Sequence, residues 1–330
     1  MRFPFFKKKI SEHLFTIAFY NLENLFDPKN NVRTLDEDFT PDGFKNWTQN
    51  KYRRKLSGLA KTIFSIGQSA NRYPPVIIGV AEVENHSVLR DLIETEPLED
   101  VDYDFVHYES PDERGIDTGL IYHRKYFKVL ISQAIPLMVN NPDGVRDTTR
   151  DILYVCGLLN GEKIHLFINH WPSRRDGAEI TEYKRMAAAE VVKGKIAAIQ
   201  RDESNPKCIV MGDFNDDPSS KSVQTLLQDT GLHNPMESLH IPKSRGSASY
   251  KKTWSLFDQI ILSHRFYRYE KGSHSFDTAN IFDQDFLKEI KGKYKGNPFR
   301  TFVGKKYLGG YSDHFPVYIV LKFNKHKKKE

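Results

Sequence analysis

The chain has 330 residues, of which 39% are hydrophobic and 28% charged, enough apolar material for a sizeable core and too much charge for a bundle of membrane helices. Basic residues exceed acidic ones by six and the isoelectric point is near 9.0, which on its face hints at an anionic partner such as nucleic acid or phospholipid head groups. The excess is concentrated at the ends: residues 1–10 carry +4 and residues 322–330 carry +4, leaving −2 on 11–321.

In chain order, runs rich in Val, Ile, Phe and Tyr bounded by Gly, Pro, Asn or Asp predict strands over 14–20, 76–81, 103–108, 118–123, 127–134, 152–159, 164–169, 208–212, 257–263 and 315–323. Helical spacing predicts a helix over 51–67, with Tyr52, Leu56, Leu59, Ile63 and Ile66 on one face. A second is predicted over 179–200, with Ile180, Tyr183, Met186, Ala187, Val191 and Ile199 facing inward, and a shorter one over 219–229, capped by Ser219 or Ser220. So many strands with few helices fit two packed mixed sheets with helices outside rather than an alternating parallel sheet. With no repeat, linker or composition break, one domain over 1–330 is expected, with short basic tails at 1–10 and 322–330. The two cysteines, Cys156 and Cys208, lie in apolar runs and make neither a disulfide framework nor a zinc site. The run LFTIAFY is read as the first core strand rather than as a signal peptide, and no run reaches the ~20 apolar residues of a spanning helix. A cytoplasmic location follows as the expectation.

Polar residues gather where the strands end. Tyr20-Asn21 closes the first strand; Glu82, Glu84 and Asn85 follow VIIGVA; His170 follows LFIN, with Arg174 and Arg175 just beyond. Asp213 and Asn215 leave CIVMG, Asp258 sits among apolar residues in WSLFDQIIL, and Asp313 and His314 precede the last strand. Carboxylate and amide oxygens without a thiolate suit magnesium, manganese or calcium. Histidines suit phosphate contact or proton transfer near neutral pH, and a half-buried acid such as Asp258 suits fixing an imidazole tautomer. Attack of water on a phosphate ester is the reaction this set fits. Taken singly, each element is an ordinary turn or strand end; the joint occurrence in this order carries the reading.

Together FYNLEN, GVAEVEN, NHWPSR, GDFND, FDQI and SDHFP resemble the endonuclease/exonuclease/phosphatase superfamily, over about residues 14–323, and most nearly its branch of bacterial predicted nucleases. The resemblance implies a four-layered α/β sandwich of the deoxyribonuclease I-like kind, two mixed β-sheets flanked by helices, with the site at one edge of the sheet pair. It implies Glu82, Asn21 and Asp313 as metal-side residues and Mg2+ as the cofactor, with Mn2+ or Ca2+ as alternatives. Asp213 matches the residue that orients or deprotonates the attacking water, Asn215 a phosphate-contacting amide, and His314 the histidine on the scissile phosphate, with Asp258 as its carboxylate partner. His170 matches a second histidine, acid or transition-state stabiliser, for which Asp117 and Glu84 compete as partner. Arg114 and Asp117 match phosphate-side residues loosely.

The substrate is read less sharply, because relatives with this core cleave DNA, RNA, phospholipids, nucleotidyl adducts and inositol phosphates. Residues 286–310 carry a net +6, including Arg300, and run into Asp313 and His314, so that the rest of the body is −8. Basic residues interleaved with Tyr294, Phe299, Phe302 and Tyr307 suit a phosphate backbone with some base stacking. With Arg174 and Arg300 as substrate-side cations, the expectation is a metal-dependent phosphodiesterase, an endo- or exonuclease acting on DNA as a monomer. The alternative is a phosphoesterase for a smaller substrate such as a phospholipid head group, nucleotide or inositol phosphate.

Overall fold

The computed structural model describes residues 13–71 and 73–325. The basic segment 1–10 and residues 326–330 lie outside the described residues. Lys322 and Phe323 are the last two residues of a strand, so that strand runs into the segment expected as a tail.

Twelve strands form two six-stranded sheets. The first is built from β1 (Leu14–Leu25), β2 (Ile77–Val83), β3 (Tyr103–His107), β4 (Asp117–His123), β11 (His274–Ile281) and β12 (Val317–Phe323), in the order β11-β12-β1-β2-β4-β3. The second holds β5 (Phe127–Ile135), β6 (Ile152–Leu159), β7 (Glu162–His170), β8 (Cys208–Asp213), β9 (Leu232–His233) and β10 (Asp258–Ser263), in the order β9-β10-β8-β7-β6-β5. Each sheet is antiparallel except at its centre, where β1 runs parallel to β2 and β7 parallel to β8. Helices α1 (Gln49–Ser65) and α2 (His86–Ile93) cover the first sheet, and α3 (Glu182–Asp202) and α4 (Lys221–Leu227) the second. This is the four-layered α/β sandwich.

The layers follow from side-chain alternation. In β8, Ile209 and Met211 face the core between the sheets, while Cys208 and Val210 face α3 and α4. Both faces are covered, which is why the central strands read as nearly unbroken apolar runs. The sheets approach closely at Gly79, where a Cβ would lie 2.7 Å from the Met211 sulfur of the opposite sheet.

Helix α1 buries Tyr52, Leu56, Leu59 and Ile63 of its expected inner face, with Lys55 among them, and Ile66 is buried just past its end. Helix α3 is turned from its expected face. Arg185, Ala188, Ala189, Val192, Ile196 and Ile199 are buried, whereas Ile180 is 64% exposed and Tyr183 39% exposed. Two alanines let the helix sit close on the sheet, and Arg185 is drawn in by Asp216, Nε to Oδ2 2.7 Å.

Two elements lie outside the expected set. Helix α2 is nucleated by Asn85, whose Oδ1 accepts from the Ser87 and Val88 N–H groups at 2.8 and 3.1 Å. Strand β11 is an edge strand of mixed sequence, HSFDTANI, with a bulge between Phe276 and Thr278, so it lacks the alternation that marks a half-buried strand.

Candidate active site

Register assembles the second sheet's contribution. Asp213, the last residue of β8, pairs with His170 of parallel β7 on one side and with Asp258 of antiparallel β10 on the other. Three functional side chains thus come from one row of neighbouring strands. Gly212 permits the approach, because a Cβ there would meet the Asn169 carbonyl oxygen at 2.3 Å.

The first sheet supplies the facing groups through backbone irregularity. β1 and β2 shift register between Asn21 and Leu25, and β2 and β4 shift between Ala81 and Val83. The residues at those shifts, Glu23, Asn24 and Glu82, adopt φ of 49°, 52° and 61°, and Asn215 adopts 49°. Left-handed backbone at a non-glycine costs about 1 kcal/mol or more each, and it is tolerated where the surroundings over-determine it. Here the bulges lie beside Asn21 and at Glu82 itself, where the two side chains meet the second sheet's row.

The side chains meet at Asp213, which is buried. Its Oδ2 accepts from Asn21 Nδ2 at 3.0 Å and lies 3.8 Å from His170 Nε2 and 3.9 Å from His314 Nε2. Its Oδ1 accepts from the Asn215 N–H at 2.9 Å. Burial raises the Asp213 carboxyl to about 6, against the pull of the His314 charge. Glu82 accepts from the Asn24 N–H at 2.8 Å and from Asn21 Nδ2 at 3.4 Å, and its Oε1 is 3.9 Å from His170 Nε2. Asn21 uses its own oxygen to accept from the Glu23 N–H at 2.9 Å, so it presents its NH2 to both carboxylates.

The two histidines differ. His314 Nδ1 donates to Asp258 Oδ2 at 2.6 Å. Burial opposes its charge, but the Asp258 and Asp213 carboxylates outweigh burial and hold the imidazolium well above the usual histidine range. His170 is pushed well below that range, first by burial and then by the nearby Arg150, Arg114 and His314 charges. Neither acid expected to partner His170 does so. Asp117 lies 3.2 Å from His107 Nε2 and accepts from the Ser110 N–H, and Glu84 accepts from the Asp27 N–H at 2.6 Å. Among the described residues, the buried His170 Nδ1 has no hydrogen-bond partner.

The remaining expected residues divide. Asp313 and Arg300 meet at the rim, Nη2 to Oδ2 2.8 Å, and Arg300 Nε also lies 3.4 Å from Glu23 Oε1. Arg114 sits 3.7 Å from Asp112 and lines a cavity of about 260 Å³ together with Arg150. Asn215 donates from Nδ2 to the Trp171 carbonyl at 2.9 Å. Arg174 departs from its expected substrate-side place: it donates to the Asn215 carbonyl at 2.6 Å and to Asp216 at 2.6 Å, and its guanidinium lies over the Phe257 ring. Asp117 departs in the same way, its carboxylate spent on His107 and Ser110.

Three further residues support the site. Glu23 accepts from the Thr301 N–H at 2.6 Å, and Lys55 reaches Thr301 Oγ1 at 2.5 Å and the Tyr311 carbonyl at 2.7 Å. Burial pushes Glu23 up and Lys55 down. Arg150 donates to Asp112 Oδ2 and to the Trp171 carbonyl, both at 2.9 Å, fixing the backbone beside His170. A lysine on the apolar face of α1 was a visible signal for Lys55, and Glu23 belongs to the FYNLEN motif; nothing local marks Arg150.

Hard oxygen donors at the rim suit a divalent cation such as magnesium. Asp213, Asp258 and His314 also bring one ligand atom each to within 4.8 Å of one another. There, however, His314 Nδ1 is already committed to Asp258, which makes a carboxylate–imidazole–carboxylate line rather than a cage.

A model of the endonuclease/exonuclease/phosphatase family matches residues 16–323. The chain belongs to that family. As a member it is a hydrolase of phosphate esters, and metal dependence is general among endonuclease/exonuclease/phosphatase enzymes. Solved structures share the fold at low identity. Truncated TDP2 of Caenorhabditis elegans is 14% identical with a TM-score of 0.59, over 95% of this chain and 99% of that one. The mannosyl-6-phosphatase Bt3783 of Bacteroides thetaiotaomicron is 18% identical with a TM-score of 0.58, over 94% and 100%. A functionally unknown conserved protein of Enterococcus faecalis is 15% identical with a TM-score of 0.56, over 94% and 100%. No curated protein sequence matches the chain significantly. Among the described residues no helix is long and apolar enough to cross a membrane.

Proposed function

We propose that this member of the family is a divalent-metal-dependent phosphodiester hydrolase acting on DNA. The observation that carries the hydrolytic reading is the position of Asp213 Oδ2, 3.8 Å and 3.9 Å from two histidine Nε2 atoms of opposite charge preference. Oδ1 is held by the Asn215 N–H, and Oδ2, which accepts one hydrogen bond from Asn21 and faces both imidazoles, is the oxygen whose second lone pair orients a water and takes its proton. The imidazolium of His314, backed by Asp258, donates to a non-bridging phosphoryl oxygen as charge develops there. His170, kept neutral by its surroundings, supplies a second Nε2–H to the same phosphoryl group. Glu82, with Asp313 on the rim, would hold the cation, which supplies Lewis-acid charge at the phosphate when bound. Asn21 keeps the Glu82 and Asp213 carboxylates together by donating to both.

Plasmid DNA tests this reading. Wild type is expected to nick it with magnesium, chelator to stop the reaction, and His170→Ala to lower the rate by 10²- to 10⁴-fold. Turnover of a small phosphodiester without His170-dependent nicking would sink the nuclease assignment. A second reading, a smaller ring-bearing phosphate ester, is favoured by a cavity of about 160 Å³ lined by Phe39, Lys45, Trp47, Arg300 and Phe302 beside Asn24. It predicts that a sugar phosphate outcompetes DNA.

A further inference from the structure

Beside Phe315, the residue after His314, lies a second space of about 420 Å³, between the segment 242–254 and the segment 283–297. Its lining holds six cations, Lys243, Arg245, Lys252, Lys288, Lys293 and Lys295, against one acid, Asp283. Asp283 is already shared by Arg245 at 3.6 Å and Lys288 at 3.5 Å. Lys243, Lys252, Lys293 and Lys295 are exposed and, among the described residues, have no acidic partner within 4.0 Å. By contrast, the cavity at Arg114 and Arg150 is balanced by Asp112, Glu113, Asp147 and Asp176.

The groove is built onto the catalytic residues. Ala248 bridges to His314, and the Phe315 N–H donates to the Ser247 carbonyl at 2.7 Å. Ser247 Oγ accepts from the Asp258 N–H at 3.1 Å, so the two residues that follow Gly246 of the groove's wall are tied to Asp258 through Ser247 and to His314 through Ala248. Trp254 stacks on Phe315 with ring centroids 5.9 Å apart, and both line the groove. The same wall is tied to β11 by Arg245 donating to Asn280 at 2.6 Å. Cations without an acidic partner, in a groove that also holds the Trp254–Phe315 stack and whose wall is tied to His314, match a chain of phosphates continuing past the scissile one. A single phosphate ester would leave them unused.

We propose that this groove is a track for a polynucleotide strand, with Lys243, Lys252, Lys293 and Lys295 holding phosphates that flank the one at His314. The proposal rests on the reading of the site as a phosphodiesterase and names its substrate class as a polymer. The test is binding of a fluorescent single-stranded dodecanucleotide, without divalent metal, over 50–300 mM salt. Four phosphate contacts predict a slope of log affinity against log salt steeper by about 3 units in wild type than in K243A/K252A/K293A/K295A. The alanine variant is also expected to bind at least tenfold more weakly at low salt, and the all-arginine counterpart, which keeps the charge, to recover both. Equal affinity and slope in wild type and the alanine variant would overturn the proposal. So would lysine-dependent binding to phosphatidylserine vesicles without binding to the oligonucleotide. Wild-type turnover of bis(p-nitrophenyl) phosphate with magnesium is measured separately: its absence alongside lysine-dependent strand binding removes the phosphodiesterase reading and leaves the track.

Discussion

His170 and His314 present their Nε2 atoms to the same carboxylate oxygen at 3.8 and 3.9 Å, yet they prefer opposite charge states. The difference lies behind each ring: His314 has Asp258 at 2.6 Å, whereas His170 has a buried Nδ1 with no partner among the described residues and two arginines nearby. Asp258→Asn keeps the shape and removes the charge, so kcat is expected to fall by roughly 10- to 100-fold. The His314 imidazole pKa, followed by NMR, is expected to drop toward the ordinary histidine range. An unchanged pKa would show that Asp258 does not set the His314 charge. At this scale the sequence was informative wherever a polar residue closes an apolar strand, as at Asn21, Glu82, His170 and Asp213. It was silent on partners, because Arg150 reaches the backbone beside His170 from a loop whose own sequence has no distinguishing pattern, and Asp117 is turned away by His107.

At the scale of elements, the site depends on how closely β7 and β8 run. Gly212 precedes Asp213, and any side chain there would strike the Asn169 carbonyl at 2.3 Å. Gly212→Ala is therefore expected to push β8 from β7 and separate Asp213 from His170. Kinetics should show kcat/KM lowered by about 10²-fold, and urea unfolding a loss of about 1–3 kcal/mol. A variant that loses stability but keeps full activity would show that the pairing does not position the catalytic row. Central strands such as β8 were legible because burial on both faces demands apolar residues throughout. Strand β11 was not, since an edge strand with a bulge has no such demand, and α2 spans only eight residues, a short window for periodicity although Val88, Leu89 and Leu92 share its buried face. The face of α3 was misplaced because a buried arginine, not a large apolar residue, sets its rotation.

Across the whole molecule, the same strands carry the site at one end and an ionic fastening at the other. β7 ends at His170 and begins at Glu162, whose carboxylate lies 2.8 Å from Lys207 Nζ, accepts from His274 Nδ1 at 2.7 Å and takes the His274 N–H at 2.7 Å. His274 opens β11 of the other sheet, so Glu162 ties the two sheets together away from the catalytic edge. Burial alone would raise the Glu162 carboxyl, but hydrogen bonds from His274, Lys207 and Ser273 outweigh it and hold the group at about 2 against an ordinary 4.5. A depressed carboxyl contributes stability that is fully present above its unfolded value, and that contribution is lost as pH falls from about 4.5 through about 2. Its size at neutral pH is about 3 kcal/mol, similar to the cost of leaving a buried cation such as Lys207 unpaired. Glu162→Gln is expected to lower unfolding stability by that amount at pH 7. In urea titrations repeated down the acid range, the gap between variant and wild type should shrink through the same window. A constant gap from pH 7 to pH 2 would mean that Glu162 stabilises through packing, and that the sheets are joined by the apolar core alone.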